Sequence, residues 1–490
     1  MVTIGSMAGQ LDWSSAIALD RASAESLSGQ LANAIEQKIS AGVFPSGSRL
    51  PTTRELALVL GVNRGTVQAA YRILQEAGLA RGRVGSGTEV SAASTPPPEF
   101  DPQELLSDRV SGLSPEDSPA SGLPLAADFS RLTPDERFFP LEEFTRVLAE
   151  AWSRRSDLWQ YAPPLGLEEL RIEIARRLAE HGIHRGPDEI LVTSGAQQGL
   201  DLLFRTFTDP GDSVAMESPT YSGALALARF AGVRIVELPV GPEGADPAAL
   251  QGSRPKLVYL MPERQNPTGV TTADKRRDEI VRAVAASGAL LVEDGYEEPE
   301  SGISPLAVRI PEQTVWLGTL SKDLVPGFRI GWIAGPDRIV QTLARVKKTA
   351  DFQTPLPLQA AVAAFLREGA DRKARRARAF DVEAKRISAV RILEHLLPEI
   401  TWMGGEIGNP LFWINLPRGV SGRRVAEAAA ARGVGVAAGS DFDPRGEDRP
   451  NVRLSVSRVD KRDVDKGIRL FAEAVHAVIG SSGIHAMPVV

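Results

Sequence analysis

A lysine that follows two hydroxyl residues and precedes an arginine by seven positions can do chemistry that none of them does alone. They stand together in Gly318-Thr319-Leu320-Ser321-Lys322-Asp323-Leu324-Val325-Pro326-Gly327-Phe328-Arg329. An amine such as Lys322, held on a loop whose surroundings keep it partly neutral, condenses with an aldehyde to a Schiff base. The hydroxyls of Thr319 and Ser321 and the guanidinium of Arg329 suit a phosphate beside that amine. The small molecule carrying both groups is pyridoxal 5'-phosphate, and the stretch reads as its attachment site.

Five further turns carry the residue types such a cofactor needs. Ser194-Gly195-Ala196-Gln197-Gln198 follows an apolar run and opens a helix, so the backbone N–H groups of Ala196 and Gln197 are placed to cradle a phosphate. Tyr221, in Pro219-Thr220-Tyr221, offers an aromatic face to a pyridine ring, and Asn266, in Asn266-Pro267-Thr268-Gly269, offers an amide to its phenolic oxygen. Asp294 can pair with a protonated pyridine nitrogen and keep the ring an electron sink, while Tyr296 can donate to the ring oxygen. Arg453, in Asn451-Val452-Arg453-Leu454-Ser455, can clamp a carboxylate through two N–H groups. Singly, each is also what an ordinary turn, core tyrosine, helix cap or surface ion pair looks like. Jointly, in this order, they describe one site.

The elements that position these residues follow from residue 128 onward. The runs 190–193, 213–216, 256–260, 289–292 and 314–317 are short and apolar on both faces, and longer helical patterns separate them. That pattern predicts a buried, mostly parallel sheet with helical crossovers, an α/β architecture. Ligands of such sheets bind where loops leave the carboxyl ends of strands, and the candidates sit just past those ends. The order of motifs resembles the fold-type I pyridoxal phosphate enzymes, the aspartate-aminotransferase-like group, over residues 128–478. The resemblance implies a smaller C-terminal α+β subdomain. It implies that Lys322 carries the cofactor, Asp294 pairs with its ring nitrogen, Tyr296 and Asn266 meet its ring oxygen, and Tyr221 stacks on the ring. The backbone of Ala196 and Gln197, with Thr319 and Arg329, would hold the phosphate, and Arg453 would take a ligand carboxylate. Tyr161, in Tyr161-Ala162-Pro163-Pro164-Leu165-Gly166, resembles the tyrosine that reaches the phosphate of the other subunit, which implies a homodimer.

A different pattern fills residues 24–91. Leu27, Leu31, Ile35 and Ile39 recur every four residues and predict a helix. Thr53 is a candidate N-cap for a short helix burying Leu56, Ala57 and Leu60. Past Gly61, a third helix places Val67, Ala70, Tyr71, Leu74 and Ala77 on one face and Arg64, Thr66, Gln68 and Arg72 on the other. Two helices joined by a tight Gly-Val-Asn turn describe a helix-turn-helix, whose second helix enters the DNA major groove. Residues 79–90 predict a hairpin wing with a basic, Gly-rich tip. Residues 21–90 hold eight Lys/Arg and five Asp/Glu, a balance of +3 in a chain of net charge -6. The motifs Gly47-Ser48-Arg49-Leu50-Pro51-Thr52-Thr53-Arg54-Glu55-Leu56-Ala57, Gly61-Val62-Asn63-Arg64-Gly65-Thr66-Val67 and Gly85-Ser86-Gly87-Thr88 resemble the winged helix-turn-helix of the GntR family of bacterial regulators. The resemblance implies DNA contacts from Arg49, Arg54, Asn63, Arg64, Thr66 and Gln68, with Arg83 and Gly87 in the wing.

The remaining segments are an N-terminal arm (1–23), a Pro- and Ser-rich flexible linker (92–127) with a short helix expected around Gln103–Val110, and a C-terminal tail (479–490). The chain has 490 residues, no cysteine and five scattered histidines, so disulfides, thiolate chemistry and a histidine-built metal site are not expected. Without a membrane-length apolar run or a signal-peptide pattern, a cytoplasmic protein is expected. A GntR-like module joined through a long linker to an aminotransferase-like domain resembles the MocR subfamily of transcription regulators. This implies a pyridoxal phosphate-dependent regulator that binds a double-stranded DNA operator, senses an amine or amino-acid effector or the cofactor itself, and dimerises head to tail with exchanged domains. The alternative is a working aminotransferase that carries a DNA-binding domain. Two departures from the subfamily's pattern fall where its effector pocket is expected. Gly404-Gly405-Glu406-Ile407-Gly408-Asn409-Pro410 lacks a frequent Gly-Leu-His, and Arg264 stands where a histidine is frequent.

Overall fold

Leu31, Ala32, Ile35 and Ile39 form one buried stripe of helix α1 (Leu27–Ser40), started by the Ser26 hydroxyl, which accepts the Gly29 N–H. The computed structural model describes residues 13, 17–83, 87–91, 101–111, 125–296, 302–322 and 324–481. It divides into two units, Met1–Leu106 and Ser107–Val490.

In the first unit, α2 (Thr53–Leu60) begins one residue earlier than the sequence suggests, because Thr52 and not Thr53 is the cap. The Thr52 hydroxyl accepts the Glu55 N–H at 3.2 Å while the Glu55 carboxylate accepts the Thr52 N–H at 3.0 Å, a reciprocal capping box. Gly61, at φ 61°, ends α2 in the left-handed region. Then α3 (Arg64–Glu76) starts at Asn63, whose side chain accepts the Gly65 N–H at 2.8 Å. Val67, Ala70, Tyr71 and Leu74 are its buried face; Ala77, expected on that face, is the exposed C-cap. Strands β1 (Ala80–Arg83) and β2 (Gly87–Val90) pair antiparallel as the wing, and its tip, 84–86, lies outside the described residues. The expected arm is partly core: Trp13 stacks on Phe44 with centroids 5.0 Å apart, and Ile17 is buried with it. The module therefore draws on residues before 24.

The expected helix near 103–110 is two single turns, Pro102–Leu105 and Asp108–Ser111. The second unit then starts ahead of residue 128. Strand β3 (Ala127–Asp128) pairs with a later strand, and the Ala126 N–H already bonds the Gly433 carbonyl.

The main sheet of this unit contains β4 (Ile190–Thr193), β5 (Ser213–Ser218), β6 (Arg234–Gly241), β7 (Gly244–Ala245), β8 (Leu257–Leu260), β9 (Leu290–Gly295), β10 (Thr314–Thr319) and β11 (Gly331–Ala334), in the order β4-β11-β10-β9-β8-β5-β6-β7. The central strands β10, β9, β8, β5 and β6 run parallel, while β11 lies antiparallel between β10 and β4. β11 is absent from the expected strands, because its four residues, Gly331-Trp332-Ile333-Ala334, form a short run bounded by Gly331 and Gly335. Strands β8 and β10 are buried at every residue, as two-sided cover requires.

Helices α4 (Leu141–Arg154), α5 (Glu168–Ala179), α6 (Ala196–Phe207), α7 (Ser222–Ala231), α8 (Asp274–Ser287), α9 (Asp337–Ala350) and α10 (Leu356–Arg367) belong with the sheet. The 27-residue α11 (Ala370–Leu396) leads into the smaller part. There β12 (Thr401–Gly404), β13 (Leu411–Asn415), β15 (Ala437–Ala438) and β16 (Asn451–Ser455) form an antiparallel sheet, and β14 (Val434–Gly435) is the partner of β3. Helix α12 (Gly422–Ala430) and the final helix α13 (Lys461–Ser481) cover it, the latter running past the expected boundary at 478. The result is an α/β aminotransferase-like sheet with a smaller α+β part. No described helix is long and apolar enough to cross a membrane.

The capping box is testable. Thr52→Ala is expected to raise amide exchange across α2 and lower local stability by about 1 kcal/mol, whereas Thr53→Ala changes it by a few tenths at most. Hydrogen exchange of the full chain distinguishes the two threonines.

Candidate functional site

The parallel strands β5, β8, β9 and β10 lead into residues that line one cavity. The cavity holds about 170 Å³ and is lined by Ala196, Gln197, Tyr221, Asn266, Asp294, Tyr296, Thr319, Ser321, Lys322 and Arg329, together with Leu200, Met261, Leu317 and Pro326. Nine residues expected at a cofactor site are thus brought together from five separated turns. A second cavity, of about 570 Å³, shares Tyr221, Asn266 and Lys322 with the first and adds Ser130, Leu132, Phe442 and Arg453.

At the floor, Asp294 is the penultimate residue of β9 and is 5% exposed. Its Oδ2 accepts the Tyr259 hydroxyl at 2.6 Å, while Oδ1 is buried with no hydrogen-bond partner. Burial pushes this carboxyl up to about 6, against the Tyr259 hydrogen bond, the Lys322 charge and the Tyr296 backbone N–H, which pull it down. A buried carboxylate oxygen without a donor is costly unless something arrives to meet it.

The start of α6 also lines the cavity. Gly195 caps it at φ 89° with no side-chain bond, leaving the first-turn N–H groups for a ligand. Arg329, itself left-handed at φ 50°, donates to the Ser194 carbonyl at 3.0 Å and packs so closely that a Cβ on Gly195 would sit 2.7 Å from its Nη2. Thr319 is buried, with its Oγ1 accepting the Ser321 N–H at 3.1 Å. The Gln197 side chain turns aside to donate to the Gly223 carbonyl at 3.1 Å, so its backbone is what faces the cavity end.

Lys322 donates to the Leu132 carbonyl. Asn266 does not reach open space with its oxygen: Oδ1 accepts Arg453 Nη1 at 2.9 Å. Tyr296 likewise donates its hydroxyl to the Arg264 carbonyl. Arg453 is 6% exposed, bonds the Ser130 carbonyl and lies over the Phe442 ring at 4.8 Å. Burial lowers it to about 10, so it keeps its charge at neutral pH. Tyr161 lies elsewhere: it is 82% exposed, with its ring against Phe352 at 5.7 Å. The two departures from the subfamily pattern meet each other rather than the ligand space. A Cβ on Gly408 would sit 3.2 Å from the Arg264 guanidinium, and neither lines the two cavities.

The loop carrying Asn266 is fixed from behind. Arg277 is fully buried, donates to the Thr272 and Pro262 carbonyls and pairs with Glu263 at 2.5 Å. Arg277, Tyr259, Phe442 and the carbonyls of Ser130 and Leu132 are absent from the sequence expectations. Only Tyr259 carried a signal, as a hydroxyl inside the two-sided buried strand Leu257-Val258-Tyr259-Leu260, where it must find a partner.

In the first unit Arg49, Arg54, Arg64 and Gln68 are exposed and Thr66 is half-buried. Arg64 Nε donates to Thr53 Oγ1 at 3.2 Å, which aims it from the start of α3. Asn63, expected at DNA, spends its side-chain oxygen on the helix cap. Gly87 is exposed in β2; of Arg83 only the backbone is described.

Residues 132–471 match the family described as aminotransferase class I and II, and residues 27–90 match bacterial regulatory proteins of the gntR family. The regulator TauR of Rhodobacter capsulatus is 31% identical, covering 92% of this chain and 96% of its own. The probable rhizopine catabolism regulatory protein MocR of Rhizobium meliloti is 28% identical over 96% and 97%. This chain belongs to the MocR-type transcription regulators. Among solved structures, the α-aminoadipate aminotransferase LysN of Thermus thermophilus, complexed with N-(5'-phosphopyridoxyl)-L-leucine, superposes with a TM-score of 0.71 at 28% identity, covering 78% of this chain and all of LysN. A MocR-type chain is thus a DNA-binding regulator built on an aminotransferase-like domain.

The raised Asp294 carboxyl gives a pH prediction. Its folded value lies above the ordinary one, so the folded chain binds this proton more tightly, and stability is lost as pH rises from about 4 to 6. Asp294→Asn is therefore expected to stabilise the cofactor-free chain by up to about 3 kcal/mol near pH 7.5, a gain that shrinks steadily below about pH 6. Urea unfolding across that range checks it; a pH-independent difference contradicts it.

Proposed function

We propose that the chain is a transcription regulator whose second unit holds pyridoxal 5'-phosphate and uses it to sense an amine or amino acid. The observation that carries the cofactor reading is that a donorless buried carboxylate oxygen on Asp294 and a helix N-terminus without a side-chain cap, beside Arg329, belong to one cavity lined by Lys322. These fit a ring whose nitrogen bears a proton and whose other end bears a phosphate. When bound, the cofactor supplies an aldehyde carbon and an electron-withdrawing ring. Lys322 is the amine that joins it. Asp294 holds a proton at the ring nitrogen, Tyr221 covers the ring, and Asn266 and Tyr296 meet its oxygen. The Ala196 and Gln197 N–H groups, Thr319 and Arg329 bind the phosphate, with Tyr161 supplied by the partner subunit.

The effector occupies the larger cavity. Arg453 takes its carboxylate, exchanging the neutral Asn266 and Ser130 oxygens for a charged one, which is the stronger bond. The amine competes with Lys322, and the occupied state shifts a two-state equilibrium that is read at the DNA. The protein acts in the cytoplasm as a homodimer, arranged head to tail with exchanged domains, and binds a double-stranded operator through Arg49, Arg54, Arg64, Thr66 and Gln68, with Arg83 and Gly87 of the wing at the backbone. Each module is only +3 by sequence, so useful affinity comes from two modules on one dimer engaging two half-sites.

Borohydride reduction of the yellow, cofactor-loaded chain is expected to trap the cofactor on one peptide, at Lys322; a label elsewhere, or none, removes the cofactor reading. Arg64→Ala is expected to abolish operator binding with the visible spectrum unchanged, and Lys322→Ala to bind operator without response to amines. A second reading, an active aminotransferase, is favoured by the complete set Asn266, Asp294, Lys322 and Arg453 around the cavities. Turnover of a physiological amino acid and keto acid at roughly 1–1000 per second would establish it. The sensor reading expects at most a slow single half-turnover.

A further inference from the structure

The carboxylate at the floor of the cavity has two oxygens with different fates, and the residue that makes them different is Tyr259. This tyrosine is fully buried in the middle of the sheet, on β8, one strand away from Asp294. Its hydroxyl meets Asp294 Oδ2 at 2.6 Å, a short and charge-assisted contact. Burial and the adjacent Asp294 charge hold the phenol well above its ordinary value, so it is a donor across the accessible pH range. Oδ1, the oxygen Tyr259 does not touch, is the one left without a donor. We propose that Tyr259 is a positioning residue that orients Asp294 and sets how strongly its free oxygen holds a proton at the nitrogen of a bound pyridine ring.

A hydrogen bond to a carboxylate stabilises its charged form. With Tyr259 donating to Oδ2, Asp294 is a weaker base, and a proton shared between Oδ1 and a ring nitrogen stays on the ring. Without that donor Asp294 becomes the stronger base, and the proton moves towards it. No atom is gained or lost; one proton changes owner along one hydrogen bond. The other side chains around this pair do not supply the same effect. Glu217, on β5, is buried, is pushed well above its ordinary range by burial, and is occupied by the Met261 N–H at 3.0 Å. Tyr221 is raised by burial, and Tyr296 spends its hydroxyl on the Arg264 carbonyl. The Tyr296 backbone N–H also lowers Asp294, but less than Tyr259 does and unchanged by any side-chain substitution at 259. Lys322 acts on Asp294 through charge. Arg329 and Arg453 act on Tyr221 in the same way. Tyr259 is therefore the side-chain donor to Asp294 among the described residues.

This inference rests on the cofactor reading above, and the experiment separates the two. Full-length wild type and Tyr259→Phe are loaded with pyridoxal 5'-phosphate, reduced with borohydride to locate the label, and titrated by visible absorbance without reduction. Both chains are expected to carry the label on Lys322. The midpoint of the visible transition is expected to rise in Tyr259→Phe by roughly half a pH unit or more, because a ring with less positive charge lets the nitrogen joined to Lys322 keep its proton to higher pH. Loss of packing alone does not move that midpoint, since phenylalanine keeps the ring. Labelling of both chains with an unmoved midpoint overturns the role of Tyr259 and leaves the cofactor reading standing. Failure of the wild type to take the label overturns both. If Tyr259→Phe does not fold or does not load, 3-fluorotyrosine placed at position 259 keeps the shape and donates more strongly. Its midpoint is then expected to fall, and an unmoved midpoint overturns the proposal.

Discussion

A carboxylate buried at the centre of a sheet, with one oxygen satisfied and the other not, is the constraint around which the second unit is arranged. Water is a far better home for Asp294 than the end of β9, and its raised proton affinity is the measure of that preference. The fold tolerates the site because Tyr259 meets half of the demand from inside the sheet. The remaining half is what makes the cavity selective: a neutral ring gains nothing from Oδ1, and a ring with an N–H gains a charge-assisted bond in a place without competing water.

The rest of the site follows from the parallel sheet. Because β5, β8, β9 and β10 run the same way, their carboxyl ends deliver Tyr221, Asn266, Asp294 and Lys322 to one rim, although up to 101 residues separate them in the chain. The loops are then fixed individually. Arg277 holds the loop of Asn266 through carbonyls and one buried carboxylate, and Glu293, beside Asp294, accepts the N–H groups of Leu306 and Ala307 at 3.0 and 2.6 Å. Such buried pairs contribute little net stability, but removal of one partner is expensive, so they hold loop geometry firmly. In the small part, Arg453 is brought to the same cavity by β16 and bonded to Asn266. These two cavity-lining residues are thus coupled through one hydrogen bond across the two sheets.

Much of this was legible in the chain itself, for a physical reason in each case. Buried two-sided strands read as uninterrupted apolar runs, and chemically active residues sit just past them; that is how Lys322, Asp294, Asn266 and Tyr221 were recognisable. The amphipathic faces of α1 and α3 were readable from their four-residue spacing. The cap of α2 was legible too: Thr52, unlike Thr53, has a glutamate three residues on, Glu55, and closes the capping box with it. Three kinds of feature were not readable. Carbonyls such as those of Ser130 and Leu132 leave no trace in residue type. Residues with two uses went to the less conspicuous one: Asn63 caps α3, and Arg264 packs against Gly408. Trp13 and Ile17 were missed because the segment holding them lacks any periodicity, though both are buried against α1 and its neighbours.

The central claim is that Asp294 is the counter-charge of a protonated ring. The most direct measurement is the ¹⁵N magnetic resonance of ring-labelled pyridoxal 5'-phosphate bound to the full-length chain, read near neutral pH in wild type and in Asp294→Asn. The account predicts a ring nitrogen that is protonated in the wild type and neutral in the variant. A neutral nitrogen in the wild type, or a protonated one in both, would contradict it.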